Sequence, residues 1–222
     1  MASADAPAAS TFLFADIAGY TALTEAHGDE DAAELARTFC RAVDGMATAE
    51  GGELVKTIGD AVMIRHPNPA GAVTLGLRAA GEVLAGHGFP TVRVGMHHGP
   101  ALESDGDWFG STVNLAARVA ALAAGGEVLL TSAVREAAGE LEGVRLESRG
   151  EQRLRNVRAP VPVFAATLEG REAAHRDVDP VCRMVVAEGR EVGTLHHHGT
   201  DYRFCSLGCI RLFADAPDAY VD

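Results

Sequence analysis

Glu53-Leu54-Val55-Lys56-Thr57-Ile58-Gly59-Asp60-Ala61-Val62-Met63-Ile64-Arg65 is typical of a β-hairpin. Two runs of apolar and β-branched residues flank a turn at Gly59-Asp60, and such turns join antiparallel strands. Parallel strands would need a crossover of a dozen or more residues instead. The segment therefore favours a sheet in which antiparallel pairs predominate.

Strands and helices interleave on either side of this hairpin. Residues 11–17 read as a buried strand, and one long helix is predicted over about 21–49. Further helices are predicted from Asn68 to about Ala85 and over 112–124, and further strands over 91–96, 127–131, 143–148 and 161–167. Because hairpins are frequent among these elements, we predict an α+β fold with a mainly antiparallel sheet.

Lys56 is the only lysine in the chain, which has 18 arginines. A sequence that keeps a single lysine suggests a position where a guanidinium cannot replace a compact ammonium group. The ordinary alternative is an exposed lysine beside a turn. The residues around Lys56 distinguish a functional lysine from an ordinary exposed one.

Composition limits the classes of partner. The 222 residues carry a formal net charge of −12 and are 47% hydrophobic. This charge argues against nucleic acid or an anionic membrane as the main partner, while a local pocket can still bind a small anion. The first ten residues lack the pattern of a signal peptide, and no apolar run approaches the length of a membrane span. We therefore expect a cytoplasmic protein.

The chain divides at a polar stretch without apolar periodicity. We expect an N-terminal tail over 1–10, a first domain over 11–168, a linker over 169–177 and a second domain over 178–222. Three of the four cysteines fall in the second domain.

Two carboxylates and a polar helix face are the candidate functional groups of the first domain. Asp16 ends the first strand and Asp60 lies at the hairpin tip, where two aspartates can hold paired Mg²⁺ ions against a triphosphate. Taken singly, each is an ordinary turn aspartate. Asn114 and Arg118 lie four residues apart, on one face of a helix that is otherwise small and apolar. Two such polar groups suggest a ligand or partner.

Four ordered segments now carry a family resemblance. They are Phe14-Ala-Asp-Ile-Ala-Gly-Tyr-Thr21, Val55-Lys-Thr-Ile-Gly-Asp60, Arg93-Val-Gly-Met-His-His-Gly99 and Phe109-Gly-Ser-Thr-Val-Asn-Leu-Ala-Ala-Arg118. Together they resemble the catalytic domain of class III nucleotidyl cyclases over residues 11–168. The resemblance implies a ferredoxin-like α+β domain that works as a homodimer, with its active sites at the subunit interface.

The resemblance also implies roles for individual residues. Asp16, Ile17 and Asp60 match the positions that bind two Mg²⁺ or Mn²⁺ ions. Asn114 matches the residue that orients the ribose, and Arg118 the residue that stabilises the α-phosphate. In the family the metal aspartates come from one subunit and the nucleotide-reading residues from its partner.

Lys56 and Asp107 match the pair that reads the purine. Adenine offers an acceptor at N1 and a donor at N6, which suit Lys56 and Asp107 respectively, whereas O6 of guanine would face the carboxylate. ATP is therefore the expected substrate. The chain departs from the family at Tyr20, where phenylalanine is usual, and at Arg155, which stands in place of a strand lysine that binds the triphosphate.

The second domain resembles a YHS domain over residues 178–222. Its segments are Asp179-Pro-Val-Cys-Arg-Met184 and Tyr202-Arg-Phe-Cys-Ser-Leu-Gly-Cys-Ile-Arg-Leu-Phe213, and Arg183 replaces the family's glycine. Cys205 and Cys209 share a helix face, Cys182 adds a third thiolate, and one of His196, His197 or His198 could add a nitrogen. Such soft ligands fit Zn²⁺ or Cu⁺.

Alternatives remain at both sites. The three cysteines could be small buried hydrophobic residues, and the histidines a solvated loop. The first domain could be a silent dimerisation and nucleotide-binding module coupled to a metal-sensing second domain, or a guanylate cyclase. The leading hypothesis is an adenylate cyclase that makes cyclic AMP and pyrophosphate, with a C-terminal module that binds metal and regulates it.

Overall fold

The structure is a computed structural model that describes residues 9–81, 88–170 and 178–221. Its strands are β1 (Ala9–Ile17), β2 (Glu53–Ile58), β3 (Ala61–His66), β4 (Val92–Pro100), β5 (Leu102–Ser104), β6 (Asp107–Phe109), β7 (Val128–Thr131), β8 (Val144–Gln152), β9 (Val161–Leu168), β10 (Gly193–His197) and β11 (Thr200–Phe204). Its helices are α1 (Tyr20–His27), α2 (Asp29–Ala49), α3 (Pro69–Gly81), α4 (Ser111–Ala120), α5 (Ser132–Ala138) and α6 (Leu207–Asp215), followed by a 3₁₀ turn at Pro217–Ala219.

Seven strands form the main sheet in the order β2-β3-β1-β4-β7-β9-β8. Among the described strands of this sheet, only β4 and β7 pair in parallel, and every other neighbouring pair is antiparallel. The predicted hairpin is the β2–β3 pair, in which Ile58 lies opposite Ala61 across Gly59-Asp60. The predicted α+β fold with a mainly antiparallel sheet is confirmed.

Side chains of β1 alternate between two apolar layers, as the pleat requires. Leu13, Ala15 and Ile17 join the larger core, which includes residues of α2 and α3. Phe12 and Phe14 point to the opposite face and pack with residues of α4. Since Asp16 continues the second set, its side chain lies on the α4 face of the sheet.

Helix α4 lies directly on the sheet at Gly95 in β4. A Cβ atom at this position would lie 2.0 Å from the backbone nitrogen of Ala120. Only glycine allows the helix to approach so closely, and this approach fixes where α4 presents its outer face.

The long helix predicted over 21–49 is in fact two helices. Gly28, with φ of 89°, ends α1 and separates it from α2. The pattern also gave no sign of α5, and the predicted end of the second helix near Ala85 lies outside the described residues. No helix in the described ranges is both long enough and apolar enough to cross a membrane.

The C-terminal segment packs onto the first domain. Cys182, Phe204 and Phe213 belong to the same apolar core as β1, α2 and α3. Backbone hydrogen bonds run from Thr91 N to Arg183 O at 2.9 Å, and from Val185 N to Phe89 O at 2.9 Å. The two predicted domains therefore share an apolar core and a hydrogen-bonded edge.

Candidate active site and thiol cluster

Asp16 and Asp60 meet at the end of β1. Asp16 pairs with Ala61 in the β1–β3 register, so the hairpin tip that carries Asp60 lies beside it. The Asp60 carboxylate faces its own backbone N–H and that of Ile17, and both lower its pKa. The Ile17 side chain is 1% exposed, so only its backbone can take part in a site here.

Arg93 is a member of this site that sequence reasoning did not assign. It lies opposite Asp16 in the β1–β4 register. Its Nε and a terminal nitrogen donate hydrogen bonds to Asp16 Oδ1 and Oδ2, at 2.5 and 2.9 Å. The sequence could have indicated Arg93 only if the register between β1 and β4 had been known, because the register is what sets it opposite Asp16.

This end of the sheet carries more negative than positive charge. Burial raises the pKa of Asp60, and the nearby Asp16 carboxylate raises it further, while Arg93 lowers it. Two carboxylates that repel each other and are only partly neutralised by one guanidinium favour an added cation. Their oxygen donors suit hard ions such as Mg²⁺ or Mn²⁺.

Lys56 and Asp107 contact each other directly. Lys56 Nζ lies 2.5 Å from Asp107 Oδ2, and Asp107 Oδ1 accepts a hydrogen bond from Trp108 N at 2.8 Å. The hydrogen bond from Lys56 lowers the pKa of Asp107. Lys56 Nζ also lies 5.9 Å from the centroid of the Phe109 ring. The two residues predicted to read the base therefore form one donor–acceptor pair.

Asn114 and Arg118 lie on the outer side of α4. The inner side is formed by Thr112, Val113 and Ala116, which are buried. Asn114 is exposed and Arg118 is half-buried. Within the described ranges neither side chain makes a hydrogen bond or ion pair, so both are available to a ligand or to a second subunit.

Arg155 does not lie in a strand, although the family resemblance implies a strand position for it. It is exposed in a turn that follows β8. Asn156 in the same turn has φ of 61°, and Val157 N closes the turn on Leu154 O at 3.1 Å. This residue is therefore the predicted site member with the least structural support.

Cys182, Cys205 and Cys209 converge, as expected for a shared site. The Sγ atom of Cys205 lies 3.4 Å from that of Cys182 and 3.8 Å from that of Cys209. The fourth member is His27, at the end of α1 in the first domain, with Nε2 3.4 Å from Cys205 Sγ and 3.7 Å from Cys209 Sγ. Sequence reasoning missed His27 because it lies 155 residues before the first of these cysteines.

The three consecutive histidines lie apart from the thiols. His196 Nδ1 lies 2.7 Å from an oxygen of Asp201, and His197 Nε2 lies 2.9 Å from an oxygen of Asp218. His198 contacts the same Asp218 oxygen at 3.4 Å. The structure thus offers His27, and none of these three, as the nitrogen donor beside the cysteines.

A buried carboxylate organises the backbone around the thiols. Asp179 is fully buried and accepts hydrogen bonds from the N–H groups of Val181, Cys182 and Cys205, at 2.9, 3.3 and 2.8 Å. Burial raises the pKa of Asp179. Hydrogen bonds from the Cys182 and Cys205 thiols lower the pKa of Cys209, so the cluster favours a thiolate at that position.

Two family models match the chain. The Adenylate and Guanylate cyclase catalytic domain matches residues 4–165, and the YHS domain matches residues 178–222.

Individual relatives agree with the first match. A pH-sensitive adenylate cyclase of Mycobacterium tuberculosis is 38% identical over 176 residues, which are 76% of this chain and 44% of that protein. An adenylate cyclase of Streptomyces coelicolor is 35% identical over 55% of this chain and 32% of its own length. This chain thus spans less than half the length of these two relatives.

The fold is also that of a solved structure. An adenylate cyclase of Trypanosoma brucei, in its monomeric state, superimposes with a TM-score of 0.65 at 25% identity. The match covers 74% of this chain and 91% of that one.

Proposed function

This chain belongs to the family of adenylate and guanylate cyclase catalytic domains and carries a YHS domain behind that domain, and from this premise we propose that it is an adenylate cyclase. The reaction would convert ATP into 3′,5′-cyclic AMP and pyrophosphate. The ribose 3′-oxygen forms a bond to the α-phosphorus, the bond from that phosphorus to pyrophosphate breaks, and the hydroxyl proton leaves to water.

The observation that carries the proposal is the convergence of Asp16, Ile17 and Asp60 at one end of β1. The two carboxylates and the Ile17 carbonyl would hold two Mg²⁺ or Mn²⁺ ions. When bound, these ions lower the pKa of the attacking hydroxyl and neutralise the triphosphate. Arg93 adds a cation at the same place, suited to phosphate oxygens once Asp16 binds metal.

Two residues of α4 would act on the rest of the nucleotide. Asn114 would orient the ribose by accepting or donating a hydrogen bond, and Arg118 would meet the charge that develops on the α-phosphate. Their side chains make no competing hydrogen bond within the described residues, which supports this use. Arg155 would contribute to triphosphate binding from its turn.

The choice of ATP over GTP rests on Lys56 and Asp107. The family includes both specificities, so the fold does not choose the base. The 2.5 Å contact sets a donor beside an acceptor, which is the arrangement that N1 and N6 of adenine require. The O6 acceptor of guanine would be repelled by Asp107.

We propose a homodimer in which each active site uses both subunits. Ile58 at the hairpin and Leu102 and Phe109 of the β5–β6 ribbon are 49%, 64% and 50% exposed. Such apolar side chains near the site suit an interface between copies. Lys56 and Asp60, although on one hairpin, would then serve two different active sites.

The C-terminal domain would bind a metal ion and regulate the cyclase, and its apolar core shared with the first domain supports that coupling. We propose domain boundaries at 11–168 and 178–222 with a linker between them, and we extend the first domain back to Ala9, where β1 begins. Because the substrate is an intracellular nucleotide and the four cysteines are free thiols, we place the enzyme in the cytoplasm.

The test is direct. Purified protein is incubated at micromolar concentration with Mg²⁺ or Mn²⁺ and either ATP or GTP, and the products are separated by chromatography. We expect cyclic AMP from ATP and far less cyclic GTP from GTP. Asp60→Ala should abolish turnover, whereas Glu53→Ala, an exposed carboxylate on the same hairpin, should not. No product from either nucleotide would reject the enzyme and leave the silent dimerisation module.

A further inference from the structure

His27 and the three clustered cysteines are spaced like the ligands of a tetrahedral ion. With bond lengths of about 2.3 Å to sulfur and about 2.0–2.1 Å to nitrogen, a tetrahedral Zn²⁺ sets sulfur atoms about 3.8 Å apart and sulfur and nitrogen about 3.6 Å apart. The observed distances are 3.4 and 3.8 Å between sulfurs, and 3.4 and 3.7 Å from sulfur to nitrogen. All four ligand atoms lie within 4.8 Å of one another.

We propose that His27, Cys182, Cys205 and Cys209 form a four-coordinate Zn²⁺ site that joins the two domains. Three ligands belong to the YHS domain, and the fourth is supplied by the cyclase domain. Cys182 and Cys209 are fully buried, and Cys205 and His27 are half-buried. Three thiolates and one imidazole are a usual donor set of closed, structural zinc sites.

The fold brings His27 to the thiols through two close fits. Helix α1 ends at His27 because Gly28 turns the chain away, and the N–H of Gly28 bonds to Thr24 O at 2.8 Å. Helix α6 then approaches α1 at Gly208, where a Cβ atom would lie 2.4 Å from Ala26 O. A glycine inside the Cys205–Cys209 spacing therefore lets the thiols reach the histidine.

The surrounding hydrogen bonds hold the ligands in place before any ion arrives. Asp179 fixes the backbone of Cys182 and Cys205, and the Ser206 hydroxyl accepts a hydrogen bond from Cys209 N at 3.1 Å. Outer-shell groups of this kind orient the ligands of metal sites. A merely apolar cluster of cysteines would not need an imidazole nitrogen directed at two of its sulfurs.

The site has a consequence for the cyclase, which rests on the proposed function. Helix α1 has eight residues and spans about 12 Å, from His27 back to Tyr20, three residues after Ile17. On the same side, a Cβ at Gly19 would lie 3.0 Å from Arg183 Cγ of the YHS domain. An ion at His27 would therefore fix the far end of α1, while the Arg183 contact holds the end that leads to Asp16.

The first experiment measures zinc in the full-length chain. Wild type, His27→Ala and Cys205→Ser are compared by elemental analysis and by competition with a chromophoric chelator. His196→Ala is the matched control, because it removes an exposed histidine of the YHS domain. We expect one zinc per wild-type and His196→Ala chain, and a loss of affinity of more than about a hundred-fold in His27→Ala, since outer-shell losses alone cost 10–100-fold.

Equal zinc affinity in wild type and His27→Ala would overturn the interdomain site. If His196→Ala loses zinc while His27→Ala keeps it, the nitrogen ligand comes from residues 196–198 and the proposal is wrong. A zinc-free wild-type chain that takes up no added zinc while its thiols are kept reduced would also overturn it.

A second measurement covers the possibility that His27→Ala misfolds. Co²⁺ is bound to wild type and to His27→Cys, which can replace nitrogen with sulfur. We expect a tetrahedral cobalt spectrum for both, with stronger sulfur-to-cobalt charge transfer in His27→Cys. An identical spectrum in the two proteins would show that position 27 is not a ligand. Gly208→Ala should weaken zinc binding without removing any donor.

A separate experiment tests whether the zinc site affects catalysis. A zinc-selective chelator should lower the melting temperature of wild type by about 5–10 °C and raise the Mg²⁺ concentration for half-maximal turnover. His27→Ala should not respond to the chelator. If zinc binds but the Mg²⁺ dependence does not change, the coupling to catalysis is wrong and the zinc site stands. If the cyclase is inactive, the metal content and melting temperature still test the zinc site.

Discussion

Lys56 and Asp107 are 51 residues apart in sequence and join two separate hairpins through one hydrogen bond of 2.5 Å. Lys56 lies on β2, and Asp107 begins β6. Both side chains are about one-third exposed, at 39% and 30%. In the proposed enzyme this contact would open to admit adenine, with the ammonium group passing to N1 and the carboxylate to N6.

The contact predicts that charge alone is not enough at position 56. In Lys56→Arg the planar guanidinium can bind both oxygens of Asp107, which leaves the carboxylate engaged and narrows the space for a purine. We expect kcat/KM for ATP to fall by at least about ten-fold, since one misplaced polar contact costs roughly 1.4 kcal/mol or more. Steady-state cyclic AMP formation measures it.

Arg155→Lys is the matched exchange in the opposite direction. Because Arg155 is exposed in a turn and would meet only phosphate charge, we expect a change of less than about three-fold. The ratio of cyclic AMP to cyclic GTP formation should fall in Lys56→Arg and stay constant in Arg155→Lys. Wild-type behaviour of both variants would show that the single lysine carries no selectivity.

The homodimer can be tested by mixing two inactive variants. Asp60→Ala loses a metal ligand, and Asn114→Ala loses the ribose contact. If each active site takes Asp60 from one subunit and Asn114 from the other, a mixed dimer holds one site with both defects and one intact site. We expect the mixture to regain up to about a quarter of wild-type activity, because half the dimers mix at random and each has one working site.

The control for this mixture is a chain that carries both substitutions. Mixed with either single variant it cannot build an intact site, so activity should stay at background. If the two single variants also remain inactive together, while crosslinking shows that they form mixed dimers, the shared-site arrangement is wrong.

The packing of α4 on β4 predicts a large cost for one methyl group. Gly95→Ala would place a Cβ 2.0 Å from Ala120 N. Because the clash is with backbone, it can be relieved only if α4 moves away from the sheet. We expect a loss of roughly 3 kcal/mol or more in the free energy of unfolding, at the upper end for overpacking. Urea denaturation provides the measurement.

Gly45→Ala is the comparison for Gly95→Ala. Gly45 is exposed inside α2, and a Cβ there meets nothing within 4 Å. Alanine should therefore stabilise the helix by about 0.5–1 kcal/mol. Similar stability changes at the two positions would show that α4 is not held as closely as described.

The hairpin and the antiparallel sheet were predictable because they depend on local patterns. The run from Glu53 to Arg65 carries both the alternation and its turn, and residues 11–17 have the apolar content of a buried strand. The break at Gly28 was not predictable in the same way, since glycine inside a helical pattern costs only about 1 kcal/mol and is often tolerated. Gly28 adopts a positive φ because α1 ends there, and the end of α1 is set by tertiary packing.

The site follows the same division. The motifs pointed to Asp16, Asp60 and the Lys56–Asp107 pair, and the structure brings the members of each pair together. Arg93 and His27 were missed, because each becomes a site residue only through tertiary contact. Arg93 requires the β1–β4 register, and His27 requires the docking of a helix more than 170 residues further along the chain.

His97 predicts an acid limit on stability. Burial, together with the neighbouring His98, lowers the pKa of His97 to about 4, and one of its ring nitrogens lies 2.7 Å from Thr131 Oγ1. In the unfolded chain the His97 imidazole is protonated near pH 6.5, whereas in the folded chain it is protonated only near pH 4. The stability due to this group is therefore complete above pH 6.5 and is lost as the pH falls toward 4.

The loss should be on the order of 2 kcal/mol between pH 7 and pH 4, since a tenfold difference in acid constant corresponds to about 1.4 kcal/mol and the ring is only partly buried. Urea unfolding at a series of pH values measures it. His97→Gln should flatten the curve in this window, because glutamine keeps a polar contact to Thr131 without titrating. His196→Gln, at an exposed position, should leave the curve unchanged, and an equal slope in His97→Gln and wild type would place the acid limit elsewhere.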